Sequence, residues 1–480
     1  MNHKYIIFIL VFLCYNNCVP ANAFDDADTH PKLTKAATVN PNLKNSLVTF
    51  IGYSSGFNKV FQGVDRNGNI QNYNVVTWLQ KGSTDEDDLN FCRASNHFHN
   101  PIHSGDWLQS QMTDSLWVDV FCGTTKRYSA VTWATGYKSP TDYIGARIGQ
   151  YVDDAKLVDI PQNMGWDNAR GYFYDALTAS DPVVREEKFV KTFRAVGQVM
   201  HLLQDMAVPA HVRNDMESHL INAPIWKAAK WFSNPFEKYV ITNYSAIINN
   251  TPVKPTIAGP LRVTDFWDNN SYTGTTSSDG TDQGLAEYTN ANYFSDFTIQ
   301  QNNPSDDHRF PFPQITPANC ICTDKLPESG KSTKYISRKL CPTDGSPVDH
   351  FAAVSLLNPK GSLVSTIKKV WLDDNVHDTY AQQILPRTVG YTAALLDYFF
   401  RGKLSVTRTP ENITFRSVKV TVSNNTPGEA MGLGEVSLVV RYKALVESGS
   451  GPLMIINNPS ADYSYKVESC RTWICPAPGN

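Results

Sequence analysis

The stretch Val196 to Asp215, VGQVMHLLQDMAVPAHVRND, decides how the rest of the chain is read. His201 and Asp205 stand four residues apart, and at about 100° per helical residue they share one face, within reach of one ion. Pro209 ends that helix. His211, six residues after Asp205, stands just past the break, where the turning chain can offer a second imidazole to the same cavity. The spacing HxxxDxxxxxH is a candidate metal-binding core, to be weighed against an ordinary structural His/Asp pair until other ligands are found.

Upstream, Asp181 is a plausible cap with Pro182 at the first helical position. Val190, Phe193, Val196, Val199 and Leu203 then recur at spacings of three and four. The spacing predicts a core helix over 181–206, preceded by another over 163–178, so the ligand-bearing helix belongs to an α-helical domain. Further upstream, 74–80 reads as a helix end, followed by the acidic cluster Asp85-Glu86-Asp87-Asp88. Such clusters are usually solvated loops. Here His97-Phe98-His99-Asn100-Pro101 follows within a dozen residues, and one carboxylate with one imidazole is half a metal shell. His99 and His103 read as loop or supporting positions rather than ligands.

A chain of 480 residues, 41% hydrophobic and 19% charged, has the composition of a globular protein. A net charge of -3 offers no electrostatic reason for tight non-specific binding to nucleic acid. Met1 to Ala23 reads as a secretory signal, with Lys4, an apolar run from Tyr5 to Leu13 and Ala21-Asn22-Ala23 as the cleavage site. A secreted or periplasmic protein is expected. Cleavage there would leave the Phe24 amine six residues before His30, and a neutral amine is a competent metal ligand. Outside the leader, with its Cys14 and Cys18, stand Cys92, Cys122, Cys320, Cys322, Cys341, Cys470 and Cys475. Export favours disulfides, with Cys92 to Cys122, Cys470 to Cys475, and Cys341 to Cys320 or Cys322 as the expected pairs.

Residues 250–350 are rich in Asn, Asp, Ser, Thr, Gly and Pro, with one helical island over 284–295. They are expected to form long surface excursions. Helical periodicity returns after Pro359, and 377–400 reads as a closing helix, kinked or started at Pro386 and ended by Arg401-Gly402. Past Gly402 the period becomes two, at Ile413 and Phe415, Val418, Val420 and Val422, then Val436, Leu438, Val440 and Tyr442. That predicts a small antiparallel β domain, β-sandwich-like, with Asn424 to Gly428 as a turn between strands. The division is a leader over 1–23, a helical catalytic domain over 24–402 and a β domain over 403–480.

His30, His97-Phe98-His99-Asn100-Pro101 and His201-x3-Asp205-x5-His211 together resemble the zinc-dependent phospholipases C and the related single-strand-specific zinc nucleases, closer to the phospholipase branch. The resemblance covers 24 to about 402 and implies an all-α helical bundle with a cleft for two or three zinc ions. On it, His97, His201, Asp205 and an acidic residue upstream of His97 would hold one ion. Asp87, Glu86 and Asp85 all stand in place for that acid, Asp87 being preferred. Asp205, His30 and the Phe24 terminus would hold a second ion, so Asp205 bridges. His211 would open a third site with Glu237; the family's histidine four residues before that glutamate is Ser233 here, and His219 is assigned the role instead. Asp87 and Asp205 would be the catalytic carboxylates.

Phosphodiester hydrolysis needs a nucleophile at neutral pH, and zinc lowers the pKa of water it binds to about 7. The activity implied is a phospholipase C acting on glycerophospholipids, with the β domain making peripheral contact with the membrane. A zinc nuclease or nucleotidase, and a non-enzymatic protein that keeps a structural zinc cluster, are the two alternatives. Nothing in the sequence sets the oligomeric state.

Overall fold

The structure is a computed structural model. It describes residues 28–39, 44, 47–49, 52–87, 93, 95–102, 128–137, 162–215, 234–247, 252, 262–272, 274, 282–296, 298–300, 310–313, 321–325, 334–339, 348–354, 370–402, 404–410, 418–425, 431–442 and 464–475. Phe24, Cys92, Cys122, His103, His219, Ser233, Cys320, Cys341 and the expected strand at Ile413 and Phe415 lie outside them.

The architecture is mainly helical, with small antiparallel sheets, as expected. The described residues form the α-helices α1 (Thr29–Ala37), α2 (Val75–Asp85), α3 (Ala130–Thr135), α4 (Trp166–Thr178), α5 (Pro182–Gln204), α6 (Pro209–Val212), α7 (Pro235–Ile247), α8 (Leu285–Asn292) and α9 (Asp374–Phe399). Helix α5 is the axis of the fold. Asp181 caps it by accepting from the Val183 N–H at 2.8 Å, with Pro182 in the first turn. From Thr192 to Gln204 every residue is buried, which marks a helix packed on all sides. Helices α2 and α4 lie against it, α1 packs on α2, and α9 touches both α1 and α5.

The closeness of α2 to α5 depends on two glycines. A β-carbon on Gly82 would run into the Arg194 backbone, and one on Gly197 into the Leu79 carbonyl. Only glycine lets the two backbones meet there. A hairpin of β1 (Val60–Val64) and β2 (Ile70–Asn74) leans on α5, with Val190 filling the space that a side chain at Gly63 would occupy.

Several expectations are corrected. Residues 74–80 begin a helix rather than end one, because the Asn74 side chain accepts from the Thr77 N–H at 2.9 Å and caps α2. Unlike most acidic clusters, Asp85, Glu86 and Asp87 are buried: Asp85 pairs with Arg194 of α5, Glu86 with Arg93 and Trp133, and Asp87 faces His97 and His201. The 250–350 region is not all surface excursion. Val263–Phe266 and α8 are buried, and Trp267 donates to the Leu202 carbonyl at 3.0 Å, so this region closes the core beside the ligand-bearing helix. Its later part begins a four-stranded antiparallel sheet of β3 (Ile321–Lys325), β4 (Lys334–Lys339), β5 (Val348–Val354) and β6 (Val370–Trp371), the last beyond that region, with β5 packed on α9.

Helix α9 starts earlier than expected, capped by the Asp373 side chain, and continues through Pro386 to Phe399. After it come β7 (Leu404–Pro410), β8 (Val418–Asn424), β9 (Met431–Tyr442) and β10 (Ser464–Cys475), in two antiparallel pairs, β7 with β8 and β9 with β10. The expected turn at Asn424 to Gly428 falls between β8 and β9, mostly outside the described residues. Cys470 and Cys475 lie on one strand. No helix among the described residues is long and apolar enough to cross a membrane.

Candidate metal centre

Helices α2 and α5 both end at one point, and their C-terminal ends favour positive charge there. Asp87 lies two residues past α2; His201 is in the last turn of α5, and Asp205 follows it in a 3-10 turn, Asp205–Ala207. His30, the second residue of α1, stacks its ring on His201 with centroids 3.7 Å apart. His97 enters from the loop that holds HFHNP. All five side chains are fully buried.

Their polar atoms converge. Asp205 Oδ1 lies 3.4 Å from His30 Nε2, and its Oδ2 lies 3.3 Å from His97 Nδ1 and 3.5 Å from His201 Nε2. Asp87 Oδ1 is 3.2 Å from His97 Nδ1, and Oδ2 is 3.7 Å from His201 Nε2. Two sets of ligand atoms each fall within 4.8 Å of one another, His30 with His201 and Asp205, and Asp87 with His97 and His201. These two buried His/Asp groups can hold a metal ion.

The polar atoms also lack ordinary partners. Both oxygens of Asp87 and of Asp205, both nitrogens of His97, and Nε2 of His201 are buried without a hydrogen bond. Buried polar atoms are ordinarily paired, and each left unpaired costs about 1–3 kcal/mol. Two carboxylates together with inward-facing imidazole nitrogens fit a dication, which would satisfy the atoms that face it. The outward nitrogens are engaged. His30 Nδ1 faces Gln204 Oε1 at 2.8 Å, and His201 Nδ1 faces the Ser83 carbonyl at 2.7 Å. Each of those two rings therefore turns Nε2 inward.

The charges are mutually dependent. Burial pushes the Asp87 carboxyl up to about 6, against the pull of His97. Burial would push the Asp205 carboxyl up, but His201 and His97 hold it well below the usual carboxylate range. Burial also works against a charged His97, yet Asp205 and Asp87 hold that imidazole up at about 10. His201 is pushed far down, first by burial and then by His30.

The three neighbouring acids divide. Asp85 turns to α5, accepting from Arg194 Nη2 at 2.6 Å and Nε at 3.1 Å. Glu86 accepts from Arg93 and from Trp133. Asp87 alone faces the centre with both oxygens, so the preferred acid is the one that the geometry brings there.

A second pair stands beside the first centre. His211 Nε2 on α6 lies 3.3 Å from Glu237 Oε1 in the first turn of α7. His211 Nδ1 faces the His97 carbonyl at 2.9 Å, and the His99 N–H donates to the His211 carbonyl at 3.1 Å. Phe98 stacks on the His211 ring at 4.4 Å with an interplanar angle of 2°. HFHNP and the residues past Pro209 are thus one assembly. His99 is no ligand in either group; it is buried, with Nε2 2.9 Å from Asp268.

Sequence reasoning did not find Gln204, which joins His30 to Thr34 of α1. Nor did it find the Ser83 carbonyl or Asp268. A backbone acceptor leaves no mark in a sequence, and Gln204 and Asp268 have no spacing that distinguishes them. No family model matches this chain, and no curated protein or solved structure compared with it matches either.

Proposed function

We propose that this protein is a zinc-dependent phosphodiester hydrolase of the phospholipase C kind. The observation that carries the proposal is the convergence of His30, Asp87, His97, His201 and Asp205 from separate segments into one buried centre, where inward-facing atoms of Asp87, His97, His201 and Asp205 have no hydrogen bond. Imidazole and carboxylate together suit zinc. Zinc held there would supply a Lewis acid for a phosphoryl oxygen and a hydroxide near neutral pH.

The chain's own residues have separable tasks. Asp205 presents one oxygen to His30 and the other to His97 and His201, the disposition required of a carboxylate shared by two ions. Asp87, with its carboxyl raised by burial, is suited to hold or move a proton close to neutral pH. His211 and Glu237 offer a nitrogen and a carboxylate oxygen to a neighbouring position, where one phosphoryl group could be met from two sides. His219 remains the proposed further ligand there, and the Phe24 terminus the proposed addition beside His30.

Choice of lipid over nucleic acid rests on the likeness of HFHNP to the phospholipases' version of that motif and on the strands that follow α9. The test is zinc analysis of the purified protein, with phosphatidylcholine vesicles and single-stranded DNA assayed side by side. Zinc-dependent release of phosphocholine is expected. Cleavage of DNA alone would transfer the reading to the nuclease branch, and bound zinc with neither activity would make the cluster structural.

A further inference from the structure

Glu86 is a buried carboxylate that faces the centre's histidine from behind. Of the four imidazoles proposed as ligands among the described residues, three, His30, His201 and His211, set Nδ1 against a neutral oxygen: Gln204 Oε1, the Ser83 carbonyl and the His97 carbonyl. His97 is turned the other way. Its Nδ1 faces Asp87 and Asp205 at 3.2 and 3.3 Å, and its Nε2 faces Glu86 Oε1 at 3.6 Å. A ring that presents Nδ1 to an ion must keep its proton on Nε2, and the acceptor waiting there is anionic.

Glu86 is also held in place. Trp133 Nε1 donates to Oε1 at 2.8 Å and Arg93 Nη2 to Oε2 at 2.5 Å, while Arg93 Nε donates to the Glu86 carbonyl at 3.0 Å. Arg93 is tied in turn to Gln198 of α5 at 2.9 Å. With both oxygens occupied, Glu86 is prevented from swinging in as a ligand. The distance of 3.6 Å is an ion-pair distance, and a shift of a few tenths of an ångström would bring it to a hydrogen bond.

We propose that Glu86 is a positioning residue: it keeps the proton of His97 on Nε2 and so commits Nδ1 to the metal. The inference rests on reading this centre as a metal site. It also gives the bound ion a histidine made more basic by a carboxylate, which the neutral acceptors behind the other rings do not supply.

The first test needs no variant. Full-length protein carrying ¹⁵N-labelled histidine is loaded with ¹¹³Cd, and cadmium coupling is expected on Nδ1 of His97, with coupling on Nε2 overturning the proposal. Second, Glu86→Gln is expected to weaken zinc binding 10- to 100-fold in chelator competition, with Nε2 coupling appearing at His97. Trp133→Phe, which leaves the carboxylate, should stay within about threefold of wild type. Equal affinity for Glu86→Gln and wild type would overturn the proposal. Should Glu86→Gln fail to fold, the cadmium coupling decides alone. Wild type that takes up neither metal would end the metal reading and this inference together, whereas metal bound through Nε2 of His97 ends only the inference.

Discussion

Gly82 and Gly197 meet where α2 crosses α5, so closely that a β-carbon on Gly197 would lie 2.9 Å from the Gly82 α-carbon and from the Ser83 nitrogen. The contact sets the depth at which the two helices deliver their C-terminal residues. One turn beyond it the Ser83 carbonyl receives His201 Nδ1, and past the end of α2 stands Asp87.

Gly197→Ala should therefore act on stability and on the centre together. Alanine favours a helix over glycine by about 1 kcal/mol, but overpacking a tight core costs about 1–3 kcal/mol. A backbone clash belongs at the upper end, so a net loss of about 2 kcal/mol is expected in urea unfolding, with weaker zinc retention. An unchanged urea midpoint would mean that the crossing is not tight.

Asp205→Asn should remove more metal than the loss of any one histidine, because Asp205 alone lies against His30, His97 and His201. Elemental analysis is expected to show the loss of both ions of the buried centre. Glu237→Gln, which touches only the His211 pair, should spare them. Wild-type zinc content in an Asp205→Asn, His201→Ala double variant would refute the assignment.

Asp85 and Asp87 should fail in different ways. Asp85 belongs to a buried ion pair with Arg194, and breaking such a pair costs about 3 kcal/mol. Asp85→Asn is thus expected to lower stability and keep zinc. Asp87→Asn should lose zinc, and the protein stripped of metal should gain stability, since a buried carboxylate without a hydrogen bond has been removed. Identical behaviour of the two variants in zinc analysis would count against the division.

These contrasts mark what the sequence could convey. His201, Asp205 and His211 were legible because helical periodicity and one proline place them without knowledge of the rest of the chain. The core helix was legible for the same reason, from Val190 to Leu203. The choice among Asp85, Glu86 and Asp87 was not, since it depends on Arg194 and Trp133, both remote in sequence, and on Arg93, which only the fold turns back onto Glu86. The β1–β2 hairpin carried a signal that went unread: Asp65 accepts from the Asn67 and Asn69 N–H groups and Gly68 adopts a φ of 82°, a turn spelled Asp-Arg-Asn-Gly. Polar composition misled at 250–350, where Trp267, Tyr272 and Tyr293 anchor buried segments among many loop-forming residues.

His377 supplies a prediction about pH that lies outside the centre. It is 2% exposed, near the start of α9, with Phe236 and Tyr239 against its ring and no hydrogen bond to either nitrogen. Burial pushes its imidazole down to about 4, with Asp374 and Asp373 opposing. The unfolded chain would take up this proton near pH 6.5, whereas the folded chain resists it until about 4. Between those values the unfolded state binds more protons, so the contribution of His377 to stability is full above pH 6.5 and falls as pH drops toward 4. A separation of about 2.5 units corresponds to roughly 3 kcal/mol. Asp296, which lines the same small cavity, works in the opposite direction: burial raises its carboxyl to about 7, so acidification relieves it. The two are separated by comparing wild type with His377→Leu, in which Asp296 is unchanged. At pH 7 the variant should be at least as stable as wild type, because two unpaired nitrogens have been removed. From pH 6.5 to 4 its advantage in denaturant unfolding should widen by about 3 kcal/mol. Metal release at acid pH is common to both proteins and cancels in the difference. A gap that stays flat across that range would show that His377 titrates normally in the folded protein.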